Sequence, residues 1–156
     1  MKTVKCIALL VSFSLFGITA YAQTAAQNKA TLLKVYDYLN AKNYDGFAST
    51  LADNFVDYAM PQPAIGATAA VEGLKAYFGA FPDVKMTVEK IVAEGNTVMA
   101  YITMTGTFTN DFMDMKATGK SFKIMDVDII EFNSAGKAVA HWSVQDPMVM
   151  MSQVMK

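Results

Sequence analysis

Arginine is absent from this sequence of 156 residues, and cysteine, histidine and tryptophan each occur once. The lack of arginine argues against a nucleic-acid-binding protein, because phosphates and base edges are most often bound by arginine side chains. It also removes the usual bidentate partner of carboxylate and phosphate ligands. The single cysteine, Cys6, excludes an intramolecular disulfide, so the fold must be stabilised by its hydrophobic core.

The N-terminus has the pattern of a secretory signal peptide. Lys2 and Lys5 precede an apolar run over residues 6–18, and small residues follow as a cleavage site before Gln23. The run is shorter than the roughly 20 residues that a membrane-spanning helix needs, although an uncleaved membrane-anchoring helix is the alternative interpretation. We therefore predict a signal peptide over residues 1–22 and a secreted or periplasmic location.

Cleavage at this point would leave one domain, residues 23–156. Removal of Lys2 and Lys5 from the 13 lysines leaves 11 lysines against 14 acidic residues, a formal net charge of −3. No run of lysines forms a basic patch. We therefore expect no nucleic-acid partner, and no membrane association once the signal peptide is removed.

Hydrophobic periodicity divides the mature chain into helices followed by strands. Apolar residues at helical spacing predict helices in three segments: 24–42, 43–55 with a turn at Tyr44–Gly46 before the helix, and 68–83. Alternating, β-branched stretches predict four strands, at 84–95, 97–108, 121–132 and 138–146. This order indicates the α+β class, with three N-terminal helices packed on a curved antiparallel sheet that encloses a pocket.

Short motifs along most of the mature chain resemble those of one family. They are Phe81-Pro82-Asp83, Glu94-Gly95, Gly106-Thr107, Thr118-Gly119-Lys120, Gly136-Lys137, and His141-Trp142 followed by Asp146. In order and spacing the chain resembles the SnoaL-like polyketide (ester) cyclases of the nuclear transport factor 2-like superfamily, over roughly residues 30–150. The resemblance implies a cone-shaped α+β barrel, a pocket for an apolar small molecule, a homodimer, and no metal or cofactor.

The same resemblance implies a catalytic residue. The cyclases use an aspartate on the last strand as general acid/base for an aldol ring closure, and Asp146 occupies the matching position. Apolar neighbours raise the pKa of a carboxyl group, which can then take a proton from carbon next to a carbonyl. Asp146 is therefore the predicted catalytic residue.

Four further residues are predicted to bind the ligand: Trp142, Tyr101, Phe108 and Asp126. Family members commonly carry arginine at the position of Tyr101 and histidine at the position of Phe108. Alternation along the last strand places Trp142 on the face of Asp146, so His141 is expected to point away from the pocket.

Two aspartates on the strand before it leave two interpretations open. Asp126 and Asp128 share one face, where like-charge repulsion would raise the pKa of one carboxyl group. The alternative is that this face meets solvent, which we expect for Asp128 and leave open for Asp126.

Two classes of function remain at this stage. The first is a cofactor-free enzyme that cyclises, isomerises or hydrolyses an apolar carbonyl compound. The second is a binding module that holds an apolar small molecule without chemistry.

Overall fold

The computed structural model describes residues 24–59 and 62–155. The predicted signal peptide, residues 1–22, lies outside the described residues. The α+β class is confirmed, with helices on one face of a single curved sheet that does not close on itself.

Helix α1 spans residues 24–40 and covers the sheet with an apolar stripe. Its buried side chains recur every three or four residues, which places them on one face: Leu32, Val35, Tyr36 and Leu39. Helix α2, Tyr44–Ala48, follows after a turn in which the Asn43 side chain accepts a hydrogen bond from the Gly46 N–H.

The helix predicted within 43–55, after a turn at Tyr44–Gly46, is wrong for most of its length, because α2 begins in the predicted turn and ends at Ala48. Strand β1, Leu51–Asp57, begins three residues after α2 ends. The apolar spacing of this segment suits a helix, but the backbone pairs with a strand from the end of the chain. Phe55 is buried in the strand, and a helix with this apolar spacing would bury it as well, so the spacing alone did not discriminate between them.

Within the described residues the sheet has six strands, in the order β2-β1-β6-β5-β4-β3. The remaining strands are β2 (Ala64–Ile65), β3 (Lys85–Glu94), β4 (Thr97–Thr107), β5 (Ser121–Phe132) and β6 (Ala138–Ser143). All neighbours are antiparallel except β1 and β6, which are parallel. The register shifts between β5 and β6, between β3 and β4, and between β1 and β6, and such irregularities bend a sheet.

Helix α3, Ala67–Ala80, and helix α4, Pro147–Val154, complete the fold. The sequence analysis assigned no element to the tail that forms α4. Asp146 caps this helix by accepting a hydrogen bond from the Met148 N–H at 2.9 Å, and Pro147 follows in the first turn. No helix among the described residues is both long and apolar enough to cross a membrane.

An aromatic cluster fills the core at the C-terminal end of α3. The ring of Phe81 lies 5.2 Å from that of Phe108 and 5.5 Å from that of Phe122, measured between centroids. Phe108 is fully buried, whereas Tyr101 on β4 is 39% exposed. Phe108 is therefore a core residue.

Truncation of Phe108 tests this assignment. We expect Phe108→Ala to lower the free energy of unfolding by about 3–5 kcal/mol, because it removes a buried ring and leaves a cavity. Tyr101→Ala, at an exposed aromatic residue, should cost about 1 kcal/mol or less. Urea unfolding of both variants measures the difference, and equal losses would contradict the core assignment.

Candidate functional site

A cavity of about 240 Å³ lies between the helices and the concave face of the sheet. Helices α1 and α3 and strands β1, β4, β5 and β6 all contribute to its lining. The lining is mostly apolar and includes Leu32, Val35, Leu39, Phe47, Leu51, Phe55, Leu74, Met86, Ile102, Met104, Ile130 and Phe132. Such a chamber suits an apolar small molecule.

One side of the cavity carries ionisable side chains and a serine hydroxyl, which together we call the polar wall: Asp57, Asp126, Asp128, His141 and Ser143. They come from three adjacent strands, and sheet pairing brings them together. His141 on β6 is the Cα partner of Asp57 on β1, and Ser143 is the partner of Asp128 on β5. Asp126 and Asp128 lie two residues apart and so share one face of β5.

The imidazole of His141 bridges two carboxylates of the polar wall. Its Nδ1 lies 2.9 Å from Asp57 Oδ1, and its Nε2 lies 3.2 Å from Asp128 Oδ1. The His141 side chain is only 21% exposed. A histidine donates from both ring nitrogens only when it is protonated, so the geometry is that of an imidazolium between two anions.

The pKa values agree with this ion pairing. Burial by itself would lower the pKa of His141, but the hydrogen bonds and charges of Asp128 and Asp57 raise it from 6.5 to about 10. Burial by itself would raise the pKa of Asp57, yet the hydrogen bond and charge of His141 bring that pKa below its ordinary value.

The shift of His141 also links stability to pH. The folded protein binds the imidazole proton more tightly than the unfolded chain does. The stabilisation is therefore complete below about pH 6.5, and it is lost as the pH rises through about 10.

Asp126 is the polar-wall carboxyl group with no charged hydrogen-bond partner among the described residues. Its Oδ2 accepts from the Ser143 hydroxyl at 2.7 Å, and its Oδ1 accepts from the Val144 N–H at 3.1 Å. Burial raises the pKa of Asp126 and the charge of Asp128 adds to the rise, which exceeds the opposing effect of the Ser143 hydrogen bond. A raised carboxyl pKa next to an apolar cavity is the property expected of a general acid/base.

Two tyrosines reach the cavity from the helices. The Tyr36 hydroxyl donates to Asp128 Oδ2 at 2.7 Å. The Tyr77 hydroxyl has only the sulfurs of Met104 and Met150 as acceptors among the described residues, at 3.8 and 3.7 Å. Thioether sulfur is a weak acceptor, so Tyr77 can transfer its hydrogen bond to a ligand at little cost. Burial raises the pKa of both tyrosines, and both therefore stay protonated.

Comparison with known proteins identifies the family. The family model of the SnoaL-like polyketide cyclases matches residues 29–154 of the chain. The chain belongs to this family. The resemblance inferred from the motifs is thereby confirmed. A search of curated protein sequences finds no match to the chain.

Solved structures of similar fold include three bacterial proteins. AclR from Streptomyces galilaeus, a candidate hydroxylase, is 26% identical with a TM-score of 0.72, over 82% of this chain and 95% of AclR. A candidate SnoaL-like polyketide cyclase from Jannaschia sp. CCS1 is 21% identical with a TM-score of 0.77, over 83% and 92% of the two chains. IdmH from Streptomyces antibioticus, a candidate polyketide cyclase, is 22% identical with a TM-score of 0.71, over 81% and 97%.

Of the five site residues predicted from the sequence, only one lines the cavity in the part of the chain that the structure describes. Asp126 does so, as part of the polar wall. Asp146 does not, because its exposed carboxylate caps α4. Tyr101 is half-exposed on β4, and Phe108 lies in the core. Trp142 stacks on Tyr58 with ring centroids 5.2 Å apart, also outside the lining.

Two predictions about strand faces are wrong. His141 points into the cavity, and Asp128 lines it as well. Alternation itself holds from His141 to Gln145, because His141, Ser143 and Gln145 all line the cavity; the prediction failed because it took Asp146, which caps α4, to mark the cavity face. Before this stretch, Phe132 pairs with Ala138 while the preceding Glu131 pairs with Ala140, which leaves Val139 as an extra residue. An extra residue of this kind exchanges the two faces of a strand, so Ala138 and His141 both meet the cavity.

Four residues line the cavity without having been predicted to do so from the sequence: Asp57, His141, Tyr36 and Tyr77. Asp57 lies between the predicted helices 43–55 and 68–83, where no pairing partner was indicated, so its pairing with His141 was not foreseeable. The shared face of Asp126 and Asp128 was the available signal. Among the described residues, no group of three or more His, Cys, Asp or Glu side chains is arranged to hold a metal ion.

NMR titration of the imidazole tests the bridge directly, because His141 is the only histidine in the chain. In protein without a histidine tag, we expect a midpoint near 10 in place of the ordinary 6.5. Asp57→Asn should lower the midpoint by removing one carboxylate partner. Asp53→Asn is the matched control, an exposed aspartate on the same strand that should leave it unchanged. A midpoint near 6.5 in the parent protein would contradict the ion-paired geometry.

Proposed function

We propose that this protein is a cofactor-free enzyme that moves a proton on an apolar ketone, with Asp126 as general acid/base. The observation that carries the proposal is the position of Asp126, a carboxyl group 5% exposed that lines an apolar cavity without a cationic partner among the described residues. The same step, removal of a proton from carbon next to a carbonyl, begins both aldol cyclisation and double-bond isomerisation.

The other two aspartates of the polar wall suit this role less well. Asp57 and Asp128 both pair with His141, and Asp128 also accepts the Tyr36 hydrogen bond. A carboxylate held in an ion pair is a weaker base, since protonation would break the pairing. Asp126 accepts only from a hydroxyl and an amide N–H among the described residues.

Tyr77 is the proposed donor to the ketone oxygen. In the proton transfer, the C–H bond breaks, its proton goes to the Asp126 carboxylate, and its electron pair moves towards oxygen to form an enolate. A hydrogen bond from the Tyr77 hydroxyl stabilises that oxygen. Both groups line the same cavity, and the charge of Asp126 adds to burial in raising the pKa of Tyr77.

Family membership supports a small-molecule substrate and this type of chemistry. AclR is named for hydroxylation and the other two similar structures for polyketide cyclisation, so one fold carries more than one named reaction. We assign to this chain the removal of a proton from carbon next to a carbonyl, and we leave the product of the reaction open.

A binding module is the second candidate. One observation favours it: the polar-wall groups are largely satisfied by one another, as in a structural network. Such a protein would bind the ketone without exchanging its protons.

Hydrogen–deuterium exchange at the carbon next to the carbonyl distinguishes these functions. We expect the protein to catalyse exchange into 1-tetralone, a bicyclic aryl ketone, in D₂O, with loss of the proton signal followed by NMR. Asp126→Asn should lower the rate about a hundredfold or more, because general acid–base catalysis contributes roughly 10²–10⁴-fold.

Asp146→Asn is the matched control for this experiment. It makes the same change at an exposed carboxylate, and asparagine retains the helix cap, so exchange should continue at the parental rate. Loss of exchange in this variant and retention in Asp126→Asn would instead support the residue assigned from the family pattern. Binding of the ketone without exchange would support the binding module.

Export and dimerisation belong to the same proposal. The pattern of residues 1–22 supports export. Intact-mass measurement of the protein recovered from the periplasm or medium should give a chain that begins at Gln23. A mass that includes the apolar run would contradict cleavage.

Exposed Met99, Tyr101 and Met125 on the sheet support the homodimer that the family resemblance implies.

A further inference from the structure

The hydroxyl and imidazole donors of the cavity lining are nearly all in use. His141 donates from both nitrogens to carboxylates, Tyr36 donates to Asp128, and Ser143 donates to Asp126. Tyr77 is the one hydroxyl here whose acceptors among the described residues are weak sulfurs. A ligand therefore finds one readily released hydroxyl donor, which the proposed function assigns to the ketone oxygen.

Acceptors in the cavity lining remain open. The side-chain Oε1 of Gln145 is buried and accepts no hydrogen bond from the described residues. Asp57 uses Oδ1 for both His141 and the Ala59 N–H, and its Oδ2 accepts from none of the described residues. A buried acceptor without a partner, as Gln145 Oε1 is, costs about 1–3 kcal/mol, which a ligand donor would recover.

The charge of the lining also restricts which ligands the cavity can bind. Three aspartates line the cavity, and His141 is the only basic residue among the described lining residues. A carboxylate or phosphate would enter an apolar chamber whose formal charge is already negative when the aspartates are ionised, with no lysine to pair with it.

We infer that the ligand carries, apart from its carbonyl, a hydrogen-bond donor and no negative charge, and that Gln145 accepts from this donor. A hydroxylated ketone meets this description. The inference rests on the proposed function only for the carbonyl, whereas the donor and the charge follow from the unsatisfied acceptors and the lining.

Binding of matched tetralones tests the inference without requiring turnover. Three probes share the bicyclic ketone and differ at one aromatic position far from the carbonyl: a hydroxyl, its methyl ether and a carboxylate. Isothermal titration calorimetry is done below the pKa of the phenol, so that the hydroxyl is neutral. We expect the hydroxy compound to bind about fivefold or more tightly than the methyl ether, the ratio expected for one recovered hydrogen bond. The carboxylate should bind at least about tenfold more weakly than the hydroxy compound.

Variants assign the preference to a residue. Gln145→Met, of similar length but without an amide, should bring the hydroxy and methoxy compounds to within about twofold of each other. Gln27→Met is the matched control, because Gln27 is exposed on α1 and outside the lining, and it should keep the parental ratio. Thermal unfolding of both variants confirms that they are folded.

Several results would overturn the inference. They are equal or tighter binding of the methyl ether, equal or tighter binding of the carboxylate, binding of none of the three probes, or an unchanged ratio in folded Gln145→Met. Proton exchange fails or succeeds independently of these affinities. A protein that exchanges ketone protons but prefers the ether retains the proposed function and loses this inference. A protein that binds the hydroxy compound preferentially but does not exchange ketone protons retains this inference and loses the proposed function.

Discussion

The His141 imidazole connects the strands and the helix that form the polar side of the cavity. His141 on β6 is hydrogen-bonded to Asp57 on β1 and to Asp128 on β5, and Asp128 in turn accepts from Tyr36 on α1. A single charged network thus joins three strands to the helix that covers them. Removing one partner of such a buried pair typically costs about 3–5 kcal/mol, because the remaining charge is left unpaired. The network therefore fixes the position of the polar wall relative to helix α1, which contributes apolar residues to the cavity lining.

This network also separates the roles of three neighbouring carboxyl groups. Asp57 and Asp128 balance the imidazolium, and the pairing keeps the pKa of Asp57 low. Asp126, two residues from Asp128 on the same strand, has neutral donors and a raised pKa. Carboxyl groups this close together differ in protonation when their burial, neighbouring charges and hydrogen-bond partners differ. The pairing of Asp128 with His141 thus leaves Asp126 as the group suited to proton transfer.

The failures of sequence-based prediction have specific physical causes. The segment that forms β1 has the apolar spacing of a helix, and only its parallel pairing with the last strand makes it extended. The predicted cavity face of the last strand is reversed because Asp146 was taken to mark it, whereas alternation from His141 to Gln145 holds and puts His141, Ser143 and Gln145 in the lining. The resemblance to the family assigned the catalytic role to Asp146, but strand β6 ends at Ser143, and the Asp146 carboxylate caps the following helix. The first error concerns long-range pairing and the other two concern where a strand ends, and local periodicity reports neither.

The sequence by itself determined the α+β class, the helix α1, the strands β3 to β6 and the family, because apolar periodicity and short motifs are local properties of the chain. It also drew attention to Asp126 and Asp128, since residues two apart in a strand share a face. Only the tertiary structure decided which face meets the cavity and which groups surround His141. Those partners come from positions 84 and 13 residues away along the chain, and sheet register, a collective property of all six strands, brings them within hydrogen-bonding distance.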